Sequence, residues 1–125
     1  MAGGIPQQVE EFIRSTIVSI QQLEVLLLVA ADEARDWTPG DVSRTLKTNT
    51  EAAAACLGSL AAAGLVVPSG EGFRYAPPAD LRPVVAELAL VYRTYRTRVT
   101  RLVFSQPTDS IGGFADAFRL RKRDR

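Results

Sequence analysis

The chain has 125 residues, 46% of them hydrophobic, a net charge of +1, one cysteine and no histidine. That length suits one domain with an arm or tail, and the apolar share supports a real core. Without histidine there is no Ser-His-Asp or Cys-His nucleophile pair, Cys56 closes no intrachain disulfide, and no Cys/His cluster exists to hold zinc.

In "PQQVEEFIRST" at 6–16, Val9, Phe12 and Ile13 recur at helical spacing behind Pro6, which predicts an N-terminal helical arm over 1–17. Ser19 and Gln22 have capping-box spacing and open a helix over 20–33. Ile20, Leu23, Val25, Leu26, Leu27 and Ala30 make that helix apolar over most of its girth, so it is expected to be central. Thr38, Pro39 and Asp41 then supply an N-cap, a proline at the first position and an acid in the first turn of a short helix over 39–47. Val42 and Leu46 share its inner face, and Trp37 is expected to pack at its start.

Thr48 and Glu51 form a second capping-box pattern. Ala53, Cys56, Leu57, Leu60 and Gly64 share one face of the helix that follows, and Gly64 suits the left-handed position that ends it. The opposite face carries Glu51, Ala54, Ala55, Gly58, Ser59 and Ala62. Leu65–Val67 read as a strand, "PSGEG" as a turn and "FRYA" as the returning strand of a hairpin.

"PPAD" at 77–80 opens a long helix whose pattern runs to about Ser105. Leu81, Val85, Leu88, Tyr92, Tyr95, Val99 and Leu102 alternate by four and three. Val84 and Val91 widen that stripe only in its first half. The pattern predicts that the first half packs on its own domain, while Tyr92, Tyr95, Val99 and Leu102 meet a second copy, locked by Phe114 and Phe118. The alternative is one helix lying across its own domain. After a break at "QPTDS", Ile111, Phe114 and Phe118 mark a short helix, followed by the basic tail "RLRKRDR".

The specific element in this order is "TPGDVSRTLKTNTEAAAACLGSLAAAGLVV" followed by "PSGEGFRYAPP". It resembles the winged helix-turn-helix regulators of bacteria, with a layout similar to the MarR and PadR families, over residues 18–105. The resemblance implies a mainly α fold with a small β-hairpin: a winged helix-turn-helix domain at 18–78, a long dimerisation helix at 79–105, and a short helix and basic tail at 106–125. It also implies a homodimer that binds double-stranded DNA with its third helix in the major groove. Arg44, Lys47, Asn49, Thr50 and Arg74 are then the candidate DNA contacts. The outward face of that helix offers no Arg or Lys for guanine, so a protein partner docking on the alanines is the competing expectation.

Residues 1–92 carry 6 Lys/Arg against 11 Asp/Glu, whereas residues 93–125 carry 9 against 3. Arg93, Arg96, Arg98, Arg101, Arg119, Arg121, Lys122 and Arg123 therefore form either a solvated basic surface or a contact for nucleic acid or an acidic protein. Tyr92 and Tyr95 are placed to stack with those guanidiniums. No phosphate-cradling glycine loop is present. The expectation is a homodimeric transcriptional regulator, not an enzyme, with no cofactor, metal or membrane partner. The alternative is a winged-helix fold used for protein–protein interaction without sequence-specific DNA binding. One Cys, no basic leader and a longest apolar run of only "VLLLVAA" point to the cytoplasm. An effector, if there is one, is expected near Tyr92 and Tyr95.

Overall fold

A computed structural model of the chain describes residues 5–105. The short helix expected around Phe114 and Phe118, and the tail with Arg119, Arg121, Lys122 and Arg123, lie outside the described residues. In chain order the elements are α1 (Gln7–Thr16), α2 (Ile20–Ala31), α3 (Pro39–Leu46), α4 (Thr50–Ala62), β1 (Val66–Ser69), β2 (Gly72–Tyr75), a 3-10 turn (Ala79–Leu81), α5 (Arg82–Thr94) and α6 (Arg96–Phe104). The fold is mainly helical, with one small hairpin.

Helix α2 is the hub. Its Leu23, Val25, Leu26 and Val29 are fully buried, and it touches α3, α4, α5 and β2. A helix buried on several sides needs apolar residues around its girth, as the sequence of this one has. Ser19 accepts from the Gln22 N–H at its N-terminus, while the Gln22 carboxamide oxygen accepts from Val18 N–H at 2.7 Å. Helix α1 buries Val9, Phe12 and Ile13 against α5 and α6.

β1 and β2 pair antiparallel, with Val66 opposite Tyr75 and Ser69 opposite Gly72. The hairpin is pinned to the segment before α3: Trp37 N–H donates to Phe73 O at 2.7 Å, and Phe73 N–H to Trp37 O at 2.8 Å. Gly72 makes this possible, because a Cβ there would lie 2.1 Å from Trp37 O.

Two expectations are corrected. The long helix is not continuous. Tyr95, at φ −123° and ψ 48°, separates α5 from α6. No proline or glycine marks the break; Thr94, Tyr95, Thr97 and Thr100 are weak helix formers that make it cheap. The turn lets α6 lie back on α1, where Val99 and Val103 are buried. Tyr92 and Val99, expected at a seam with a second copy, are therefore covered by their own chain. Tyr95 and Leu102 remain half-buried.

The second correction concerns the start of α4. Asn49, not Thr48, is the N-cap, its side chain accepting from Ala52 N–H at 2.7 Å. Lys47 adopts the left-handed conformation (φ 58°), which ends α3 and carries the chain one residue further before α4 begins. Thr48 instead accepts from the Gln21 side chain at 2.7 Å.

Candidate nucleic-acid interface

The α3–α4 unit is fixed by local sequence at both ends. Thr38 and Asp41 exchange the two bonds of a capping box, at 3.1 and 3.2 Å, with Pro39 at the first helical position. Thr48 N–H closes the far end of α3 onto Ser43 O at 3.0 Å. Ser43 and Thr50 hydroxyls lie 3.4 Å apart across the turn, and Gln22 ties α4 to α2 by donating to Ser59 at 3.0 Å. Gly64 ends the helix region at φ +80°.

The faces of α4 divide as the spacing predicts. Ala53, Cys56, Leu57 and Leu60 are buried, while Glu51, Ala54, Ala55, Gly58 and Ala62 are exposed and Ser59 is half-buried. Nothing lies within 4 Å of a Cβ placed on Gly58, so this face is open. Burial pushes the Cys56 thiol pKa up.

The candidate DNA contacts do not form one cationic cluster. Arg44 pairs with Asp41 at 2.7 Å, and Arg35 approaches the same carboxylate at 3.7 Å. On the hairpin, Arg74 pairs with Asp36 at 2.9 Å, and Ser69 donates to that carboxylate at 2.7 Å. The Ser69 hydroxyl, followed by Arg74, holds the Asp36 pKa below the usual aspartate value. The Thr38 backbone N–H and hydroxyl, ahead of Arg35 and Arg44, do the same for Asp41. Asn49 is committed to its cap. Lys47 stands exposed with no ion pair among the described residues. No family model, no curated protein and no solved structure matches the chain.

A different cationic surface lies on α5 and α6, where Arg93, Arg96, Arg98 and Arg101 are all exposed. Arg96 stacks over the Tyr92 ring at 4.8 Å and bonds Glu24 at 3.3 Å; Arg98 stacks over Tyr95 at 5.2 Å. Tyr92 Oη donates to Glu24 at 3.2 Å, and burial, reinforced by that carboxylate, raises its pKa. Arg96, Thr97, Thr100 and Arg101 line an open hollow of about 400 Å³. Glu24 and Gln21 were not singled out from the sequence. The signal was there: with Gln22 they are the three polar residues of an otherwise apolar helix.

The cavity between the hairpin, α2 and α5 is lined by Leu27, Ala30, Tyr75, Arg82 and Val85, and holds only about 170 Å³. It lies away from Tyr92 and Tyr95, whose rings serve Arg96 and Arg98 instead. No metal-binding cluster is found among the described residues, and no single described helix is long and apolar enough to cross a membrane.

Proposed function

We propose that this protein is a winged helix-turn-helix DNA-binding transcriptional regulator that acts as a homodimer. The single observation that carries the reading is α4. It is anchored by Ala53, Leu57 and Leu60, and its opposite face of small side chains projects unobstructed between the α3–α4 turn and the pinned hairpin. A helix held in that way enters a major groove without a steric barrier, and alanine methyls can meet thymine methyls there. In this reading the hairpin is the wing, and the protein works in the cytoplasm where the DNA is. Exposed Leu90 and Phe104, with half-buried Leu102, supply apolar surface for a second copy.

The test is titration of the full chain with genomic duplex fragments across a salt series. Saturable binding that weakens steeply with salt supports the reading. No binding at low salt overturns it.

A second reading is favoured by a specific observation: Arg44 and Arg74 are already paired to carboxylates, beside an α4 face with no base. The same fold would then dock a protein on the alanines. Ala55→Arg or Ala62→Arg would abolish capture of one stoichiometric, nuclease-resistant partner without altering the fold. If the first reading holds, added arginines tighten duplex binding instead.

A further inference from the structure

Most cations in the first four helices and the hairpin have an acid opposite them. Arg14 pairs with Glu10, Arg35 and Arg44 with Asp41, and Arg74 with Asp36; at the start of α5, Arg82 pairs with Glu33. Arg93 and Arg101 differ, having no ion pair among the described residues, and Arg96 has only a 3.3 Å contact with Glu24. Between Arg93 and Ser105 the chain has no acidic residue; among the described residues, the one acid lining a hollow with Arg98 and Arg101 is Glu10 of α1, which already pairs with Arg14.

This surface is linked to the α3–α4 turn. Glu24, which meets Arg96, stands one turn along α2 from Gln21, which holds Thr48 between Lys47 and Asn49. One face of α2 therefore spans from the arginines to the turn, and Lys47 stands beside that turn with its charge unanswered.

We infer that α6, with Arg93 just before it, is a second phosphate-gripping surface for duplex nucleic acid, used together with the α3–α4 turn. This rests on the reading of the protein as a DNA binder and locates the charge that such binding needs. Charge complementarity selects the occupant. A phosphate backbone presents regularly spaced anions, and Arg96, Thr97, Thr100 and Arg101 surround one hollow with two guanidiniums and two hydroxyls, donors suited to phosphate oxygens. Residues 1–92 have a net negative charge and supply little phosphate neutralisation themselves. The break at Tyr95 lets α6 pack on α1 while its arginines stay exposed.

The test compares wild type, Arg93→Ala/Arg101→Ala and Arg93→Lys/Arg101→Lys on one genomic duplex by fluorescence anisotropy, from about 50 to 200 mM salt. Far-UV circular dichroism confirms the fold. Each phosphate contact contributes about 0.9 to the log–log salt slope, so the alanine variant should lose a slope of about 2 per protomer. Wild type should then lose about tenfold more affinity than the variant for each bound protomer across that range, about a hundredfold for a dimer on the duplex, and the lysine variant should keep the wild-type slope. Wild type and the alanine variant binding with the same slope would overturn the inference while leaving the DNA-binding reading intact. Wild type failing to bind any duplex would overturn both. Arginine-dependent capture of an acidic protein, with duplex binding unchanged by the alanine pair, would also overturn the inference.

Discussion

The α2–hairpin body and the α5–α6 arm handle charge in opposite ways. In the body, Asp36 and Asp41 answer the arginines beside them, so the surface around α4 is nearly neutral despite its exposed helix. In the arm, from Arg93 to Arg101, arginines are interspersed with threonines and no acid intervenes along the chain; the acids near them, Glu24 and Glu10, come from α2 and α1. The lesson is that an exposed helix and an exposed field need not coincide. The open face of small side chains sits on α4, and the exposed arginines sit on the end of α5 and on α6.

The largest expected effect tests whether the body is one core. Leu57 is fully buried on the inner face of α4. Leu57→Ala should destabilise the chain by about 2–5 kcal/mol in urea unfolding, and a change under about 1 kcal/mol would mean that α4 is not anchored as described. A smaller effect tests the arm. Val99→Ala should cost roughly 2 kcal/mol independently of protein concentration, because Val99 is buried within its own chain. A cost that vanishes on dilution would return Val99 to a seam between copies.

The helix starts give effects near 1 kcal/mol. Thr38→Ala and Asn49→Ala each remove a cap and should cost about 1 kcal/mol. Thr48→Ala should cost about 0.5 kcal/mol or less, since Thr48 makes one side-chain bond and caps nothing. An equal loss for Thr48 and Asn49 would move the start of α4 back by a residue.

Asp36 and Asp41 predict a mild acid sensitivity. Both have folded-state pKa values below the usual aspartate value. Their contribution is therefore complete above about pH 4 and falls away as pH drops through the lowered folded values. Asp41→Asn should flatten the decline of thermal stability on acidification, and an unchanged acid limb would show that its capping-box and arginine contacts are not formed in solution.

Much of the body was legible from sequence because its signals are local. Thr38-Pro39-x-Asp41, Gly64 and the hairpin turn each report on residues a few positions away, and the period of Ala53, Cys56, Leu57 and Leu60 reports the buried face. The break at Tyr95 was not legible, because the apolar spacing continues across it and only the docking of α6 on α1 makes the break favourable. The Arg74–Asp36 pair and the Trp37–Phe73 bridge were hidden for the same reason: their partners are brought together by the fold. The Asn49 cap was missed because Thr48-x-x-Glu51 has the spacing of a capping box, and the left-handed Lys47 shifts the frame by one residue.

The most direct measurement is a backbone amide NMR titration of the isotopically labelled full chain with a genomic duplex that it binds. DNA binding through α4, the hairpin and the arginine helix predicts saturating shifts centred on residues 47–62, 69–74 and 93–101, larger than any on α1. Saturating shifts on α1 with residues 47–62 and 93–101 silent, or no saturating change on any duplex, would contradict it.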